Sequence, residues 1–157
     1  MNLKPILFLI LCCTLTYCLP AQQTHSLTVE VSIADKLQKD FPEDGRFFLF
    51  MNAMARRSLI TSWPSPGLNV YAKNMEGWKG AQAIQVDGDT DWTSKADFPL
   101  GAIPEGTYFV QLVWDHDREE SRLNAPGNLY SAVTEVKVFS DQIVKISLVV
   151  CQVLNAG

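Results

Sequence analysis

Three stretches of the chain alternate between apolar and polar positions with a period of two. Residues 27–33 and 107–115 each place four apolar side chains on one face, and residues 142–150 direct Val144, Ile146, Leu148 and Val150 to one side. This period is that of a β-strand with a buried face. A Pro-Glu-Gly turn precedes the second stretch, and a short Ser-Asp turn precedes the third. Each stretch is therefore predicted to be a strand.

Weaker patterns predict further strands between these three. Residues 46–51 (Arg-Phe-Phe-Leu-Phe-Met) are apolar on both faces, which is typical of a central strand covered on each side. Residues 69–73 and 81–86 predict shorter strands, and residues 131–139 predict another. Residues 55–68 contain two prolines and predict a loop. The expected fold class is all-β, an antiparallel immunoglobulin-like β-sandwich of about seven strands.

The first 21 residues have a different character from the rest. Lys4, an apolar run over residues 6–15 and a Leu-Pro-Ala exit predict a secretory signal peptide. The apolar run is shorter than the roughly 20 residues that span a membrane. A lipid anchor at Cys18 is the alternative, but bulky Tyr17 stands where that processing needs a small residue. The prediction is a secreted or periplasmic protein without a membrane span, with signal peptide 1–21 and one domain at 22–157.

Removal of the signal peptide changes both the cysteine content and the charge. Cys151 is then the one cysteine left, so no intrachain disulfide forms, which favours a bacterial exported protein stabilised by its core. Loss of Lys4 leaves 12 Lys and Arg against 17 Asp and Glu, a net charge of −5. Nucleic acids and anionic lipids both bind clustered Lys and Arg, so the acidic balance argues against either as a partner.

Five short motifs follow one another in an order that resembles a known domain. They are Gly-Arg-Phe-Phe-Leu-Phe at 45–50, Glu-Gly-Trp-Lys at 76–79, Phe-Pro-Leu at 98–100, Ile-Pro-Glu-Gly-Thr-Tyr-Phe-Val-Gln at 103–111 and Pro-Gly-Asn-Leu-Tyr-Ser at 126–131. Over about residues 27–150 the chain resembles the amino-terminal β-sandwich of secreted bacterial esterases with the α/β-hydrolase fold. The resemblance implies a non-catalytic accessory module whose partner is a hydrolase domain or chain. Because no hydrolase domain follows here, the chain is expected to be a stand-alone copy or a truncated esterase.

The sequence lacks the signature of esterase chemistry. A nucleophile elbow needs Gly-x-Ser-x-Gly between a strand and a helix, and no such pentapeptide occurs. His116 stands between Asp115 and Asp117, where a carboxylate could orient it as a general base, but adjacent side chains of an extended chain point apart. Cys151 extends an apolar run and is expected to be packing. No enzyme activity and no catalytic residue are predicted, and a small hydrolase using His116 is the alternative.

Asp87, Asp89 and Asp91 place three carboxylates at alternate positions, as at the start of a calcium-binding loop. The helix-flanked form of that loop needs Gly at the sixth position and Glu at the twelfth, where this chain has Trp92 and Phe98. A looser calcium site remains the alternative to a solvated acidic turn. The two histidines and one cysteine give no zinc spacing. No cofactor is predicted apart from this weak calcium candidate.

The chain has four tryptophans, and flat exposed indoles can stack on sugar rings. Trp63, Trp78 and Trp92 fall in predicted loops, whereas Trp114 ends a predicted strand. The three loop tryptophans are therefore a candidate glycan-binding surface. The competing interpretation is that loop aromatics fold back and cover an open end of the sandwich.

Overall fold

A computed structural model describes residues 22–60, 65–88, 91–116 and 122–150 of the 157-residue chain. These residues form strands and one short 3₁₀ helix, Asp35–Asp40. No helix among them is long and apolar enough to cross a membrane. The strands are β1 (Thr24–His25), β2 (Leu27–Ile33), β3 (Gly45–Asn52), β4 (Leu68–Met75), β5 (Ile84–Val86), β6 (Thr93–Lys95), β7 (Ile103–Pro104), β8 (Gly106–Asp115), β9 (Leu129–Tyr130), β10 (Thr134–Val138) and β11 (Gln142–Val150).

β8 is the centre of the sheet. It pairs along one edge with β3, and β3 continues to β4 and β6. Its other edge is shared, because β10 pairs with the first half of β8 and β9 with its end. On the far side β11 pairs with both β9 and β2, and β2 pairs with β5. The sheet is thus continuous, in the order β5-β2-β11-β9-β8-β3-β4-β6. β11 joins its two parts, which are the pair β5-β2 and the strands from β9 to β6.

The all-β class predicted from the sequence is confirmed. Two predicted strands have the predicted bounds, Leu27–Ile33 and Gln142–Val150, and residues 46–51 lie inside central β3. One pairing differs from the antiparallel expectation, because β2 and β11 run parallel. Alternation in the sequence is the same for a parallel and an antiparallel strand, so it cannot fix this direction.

Two other predicted strands are shorter in the structure. Residues 81–86 contribute only β5, Ile84–Val86. The predicted strand over 131–139 begins at Thr134, because Ser131 lies across the ladder beside β8. Its hydroxyl accepts a hydrogen bond from the Leu112 amide at 2.9 Å, and its own amide donates to the Leu112 carbonyl at 3.0 Å. These bonds bridge the gap between β9 and β10.

One large buried cluster collects apolar side chains from both parts of the sheet. All four inward residues of β2 belong to it and are almost fully buried, as the alternation of β2 predicts. The residues expected on one face of β8 also lie in it. The β8 residues are Tyr108, Val110, Leu112 and Trp114. The other strand residues come from β3, β4, β5, β7, β9, β10 and β11, and they are Phe47, Leu49, Met51, Tyr71, Val86, Ile103, Leu129, Val136, Val138, Ile146 and Leu148.

Three aromatic rings close one end of this cluster, and we call them the aromatic end cluster: Phe41, Trp78 and Trp114. The Phe41 ring stacks on Trp114 with centroids 5.6 Å apart, and Trp78 meets both rings edge-on at 4.9 and 5.0 Å. The Trp114 indole N–H donates to the Pro42 carbonyl at 3.0 Å. The Trp78 indole N–H donates to the Gln82 carbonyl, so both buried indole nitrogens have partners, as is usual in an apolar environment.

A second, smaller buried cluster lies on the opposite face of β3 and β8. Phe50, Val113, Tyr130 and Leu59 form it. Leu59 comes from residues 53–60, which we call the strap because they lie over this face after β3 ends. Gln111 holds the strap: its Oε1 accepts hydrogen bonds from the Leu59 amide at 2.7 Å and from the Ser58 hydroxyl at 3.2 Å. β8 is therefore covered on both faces.

Candidate functional site

His116 follows the last residue of β8 and faces the loop before β9. Its Nε2 is 3.2 Å from the carbonyl oxygen of Gly127. When the imidazole is neutral, this contact places the proton on Nε2 and leaves Nδ1 as the acceptor. A Cβ at Gly127 would lie 3.3 Å from Nε2, and the φ of Gly127 is +101°. Glycine therefore allows the close approach between this loop and the imidazole.

A cavity of about 290 Å³ lies beside His116, and we call it the His116 pocket. Its walls combine apolar side chains with one cation, one carboxylate and one imidazole. Among the residues that the structure describes, no side chain lining it has a hydroxyl or a thiol. The lining residues are Lys36, Leu37, Asp40, Phe41, Pro42, His116, Gly127 and Leu129.

The 3₁₀ helix and the residues just after it build one wall of the pocket. The helix begins directly after β2, where the Leu37 amide donates to the Ala34 carbonyl at 2.8 Å. The Gln38 amide group donates to the Ile33 carbonyl at 3.2 Å and to Asp35 at 3.1 Å. Pro42 cannot continue a helix, and its carbonyl is held by Trp114. The aromatic end cluster thus fixes the wall that carries Phe41 and Pro42.

The contacts of His116 differ from those of a catalytic base beside a serine or cysteine. Its Nε2 contacts the Gly127 carbonyl, and the described residues that line the pocket include no nucleophilic side chain. Asp115 ends β8 opposite Arg46. Asp117 and Cys151 lie outside the described residues. The His116 pocket can hold a ligand between the ammonium of Lys36, the carboxylate of Asp40 and the imidazole of His116.

The acidic turn begins at Asp87, directly after β5, and the side chain of Trp92 bonds to it. The Trp92 indole N–H donates to the backbone carbonyl of Asp87 at 2.9 Å. The Asp91 carboxylate is exposed and lies 3.9 Å from the ammonium of Lys73. Asp89 lies outside the described residues. Over the ranges that the structure describes, no three His, Cys, Asp or Glu side chains are grouped as metal ligands, and the calcium site stays a prediction.

The predicted tryptophan surface is corrected at Trp78. This side chain is only 4 % exposed, belongs to the aromatic end cluster and donates its indole N–H to the Gln82 carbonyl at 2.9 Å. It offers no face to a ligand. Trp92 is partly buried, and its ring lies 6.2 Å from that of Phe47. Trp63 lies outside the described residues. Trp78 and Trp92 thus fold back onto the core, as the competing interpretation expects.

A second cavity, of about 320 Å³, lies where the turn before β4 meets the end of β6. Asn69 joins its two sides: its Oδ1 accepts a hydrogen bond from the Asp97 amide at 2.6 Å, and its Nδ2 donates to the Gly67 carbonyl at 3.5 Å. These bonds give both the oxygen and the nitrogen of the buried Asn69 amide a partner. Lys95 and Asp97 supply its charges, and the lining residues within the described ranges include neither an aromatic side chain nor an imidazole. The His116 pocket has the richer chemistry.

Lys36 and Asp40 are site residues that the sequence did not indicate. They stand four positions apart in a short polar segment, a pattern found on many exposed turns. Their place in the pocket depends on His116, Gly127 and Leu129, which line the same cavity and lie far away in the chain. Only the three-dimensional structure brings these segments together.

Comparisons with protein-family models, with curated proteins and with solved structures found no match to this chain. The resemblance to the amino-terminal module of secreted esterases therefore stays a prediction from sequence motifs.

Proposed function

We propose that this protein is an exported, non-catalytic binding module that holds a small ligand, or one side chain of a partner protein, in the His116 pocket. The observation that carries the proposal is the composition of the pocket. Apolar walls with a few convergent polar groups are the usual features of ligand sites. Here Leu37, Pro42 and Leu129 supply the walls, and Lys36, Asp40 and His116 supply the polar groups.

The charges of the pocket indicate what it would accept. Lys36 and Asp40 have opposite charges, so a ligand with one net charge is attracted by one group and repelled by the other. A neutral or zwitterionic ligand with an apolar body avoids this conflict. The rigid wall formed by Phe41 and Pro42 supports binding without a large rearrangement, which lowers the entropic cost of association.

The resemblance to esterase modules gives this binding role a context. We propose that a hydrolase domain or chain is the partner, and that the module restricts which substrates reach it. The test is affinity purification of the tagged protein from its own secreted and envelope fractions, followed by intact mass measurement. Recovery of a hydrolase with residues 22–157 supports the accessory role. A single chain tens of kilodaltons heavier identifies a fragment of an esterase, and recovery without any hydrolase contradicts the accessory role.

The binding role itself is tested with purified residues 22–157 and a library of neutral and zwitterionic small molecules. Binding is followed by tryptophan fluorescence, because Trp114 stacks directly on the pocket residue Phe41. Asp40→Asn and Lys36→Ala are expected to weaken any binding at least tenfold. Asp35→Asn and Lys39→Ala, which change the same helix outside the pocket lining, are the matched controls. Equal affinities in all four variants would place the ligand elsewhere, and ester hydrolysis lost in His116→Ala would identify an enzyme.

A further inference from the structure

The imidazole of His25 lies between two carboxylates that belong to different turns. Its Nε2 is 3.0 Å from Oε1 of Glu105, in the turn between β7 and β8. Its Nδ1 is 3.8 Å from Oδ1 of Asp141, in the turn between β10 and β11. Both ring nitrogens thus face an oxygen that can only accept a hydrogen bond when the carboxylate is ionised. Two turns far apart in the chain meet at this one side chain.

Hydrogen bonds donated by backbone amides hold the same three segments together. The Ser26 amide donates to Oδ1 of Asp141 at 2.8 Å, and the Gln142 amide donates to the Ser26 carbonyl at 3.2 Å. The Glu105 amide donates to the Gln23 carbonyl at 3.1 Å. We call His25, Ser26, Glu105 and Asp141 the N-terminal clip. The backbone bonds bring the carboxylates to His25 whatever the charge of its ring.

The protonation state of the imidazole decides how many of these contacts are favourable. A neutral imidazole has one N–H, so it can donate to only one of the two carboxylates, while the lone pair of its other nitrogen faces the second carboxylate. An imidazolium has two N–H groups and a positive charge, so both carboxylates face an N–H and are attracted to the ring. Of the side chains in the clip, histidine is the one that ordinarily changes charge between pH 5 and 8.

The carboxylate of Asp141 keeps its charge over this range. The pKa of Asp141 lies below its ordinary value, chiefly because the Ser26 amide and hydroxyl donate hydrogen bonds to the carboxylate, and also because His25 is near. β1 contributes no further ionisable side chain, and its partner β7 contributes only Ile103 and Pro104. Glu105 and Asp141 are therefore the charges that face the imidazole in the described residues.

We propose that the N-terminal clip is operated by protons: protonated His25 fastens β1 to the turns at Glu105 and Asp141, and neutral His25 loosens it. The device is independent of ligand binding in the His116 pocket. Protonation favours the fastened state, so β1 is held most firmly below the range in which imidazole titrates and less firmly above it. Loosening uncovers the edge of β7, which β1 pairs with through Thr24 and His25.

Hydrogen exchange followed by NMR tests the clip in the protein comprising residues 22–157. Protection factors, which correct for the intrinsic effect of pH, are measured for the amides of Ser26 and Glu105 at pH 5.5 and pH 8. We expect these two amides to lose protection by about two- to tenfold at pH 8, as two exposed ion pairs allow. The amide of Leu112, which is bonded deep in the sheet, is the internal reference.

Two histidine variants separate the clip from other effects of pH. The chain has two histidines, so His25→Gln removes the proposed switch and His116→Gln is the matched control. The pH dependence at Ser26 and Glu105 is expected to vanish in His25→Gln and to persist in His116→Gln. Asp141→Asn, which keeps the histidine, should reduce it. A parent without pH dependence at these amides, or a His25→Gln variant that retains it, would overturn the proposal.

Discussion

At Gly127 the backbone occupies the left-handed region, and the loop passes within hydrogen-bond distance of His116. The sequence marks this glycine only as part of a Pro-Gly-Asn turn. Its importance comes from a contact 11 residues away along the chain, which no local pattern records. The same holds for Lys36 and Asp40, whose polar segment gives no sign of the cavity that it lines.

Gly127→Ala is expected to lower the free energy of unfolding by about 1–2 kcal/mol, because an L-residue with a side chain is strained at this φ. Urea denaturation measures the loss. Gly101→Ala is the control, since a Cβ there has its nearest neighbour at 3.8 Å and no positive φ is present. Equal effects of the two substitutions would show that backbone conformation does not decide the cost.

The acidic turn offers a second prediction at the residue scale. If Asp87 and Asp91 bind calcium with a dissociation constant of roughly 10⁻⁴ to 10⁻³ M, 10 mM calcium stabilises the fold by about 1.4–2.7 kcal/mol. Thermal unfolding with calcium, and with magnesium as the control, measures this. An unchanged melting temperature, or an equal shift in Asp87→Asn, would leave the turn as a solvated loop.

Asp141 provides a prediction about acid. Its pKa is lowered in the folded protein, so the folded state holds this proton less tightly than the unfolded chain does. The stabilisation is present above the unfolded value near 3.9 and is lost as the pH falls through the lower folded value. Asp141→Asn should therefore show a smaller loss of stability than the parent on going from about pH 4.5 to pH 2.5 in urea titrations. The exposed Asp91→Asn is the comparison, and an equal loss in parent and Asp141→Asn would contradict the assignment.

The elements of this fold were predictable to the extent that their patterns are local. β2, β3, β8 and β11 carry strong period-two or continuous apolar signals, and these strands occur where the sequence places them. β5 and β10 are shorter than predicted because side-chain and loop contacts compete with strand pairing at their ends. Ser131 is the clearest case, because its bonds to Leu112 come from a distant strand.

The sequence allows two interpretations of Trp78, an exposed indole that binds a glycan or an indole folded back onto the core, and the structure buries it in the aromatic end cluster. Trp78→Ala is expected to cost about 3–5 kcal/mol, because it removes a large buried ring and leaves Phe41 and Trp114 facing a cavity. Phe139→Ala is the control, since that ring is 58 % exposed. Its effect should remain within about 0.5 kcal/mol. A loss at Trp78 as small as the control's would place this indole on the surface again.

The side chain of Gln111 bonds the strap to β8. Gln111→Ala removes the acceptor of the Leu59 amide and the donor to the Ser131 carbonyl, and it is expected to cost about 1–3 kcal/mol. Hydrogen exchange should show faster exchange at the Leu59 amide, while the β8 amides stay protected. Gln85→Ala, at an exposed position of β5, is the matched control. Loss of protection throughout β8 would mean that Gln111 supports the sheet rather than the strap.

For the whole molecule, the sequence predicted the all-β class but not the order and direction of the strands in the sheet. Composition and alternation are sufficient for an all-β protein with a buried core. The direction of β11 beside β2 depends on contacts across most of the chain. The pocket likewise depends on the approach of Lys36 and Asp40 to His116, Gly127 and Leu129. The predicted export, the prediction that the chain has no enzyme activity and the accessory role also concern the whole molecule, and the measurements proposed above test them.

The parallel pairing of β2 with β11 also governs how this protein can fold. Ser32 and Ser147, whose hydroxyls lie 2.7 Å apart, are separated by 115 positions in the chain. Such distant pairing is slow to form, because the entropy of closing the intervening loop is lost before the contact stabilises anything. The first long strand therefore has no partner on this side until β11 is available. β2 and β11 can therefore pair only after residues 142–150 have been synthesised, which is compatible with the predicted export of an unfolded chain.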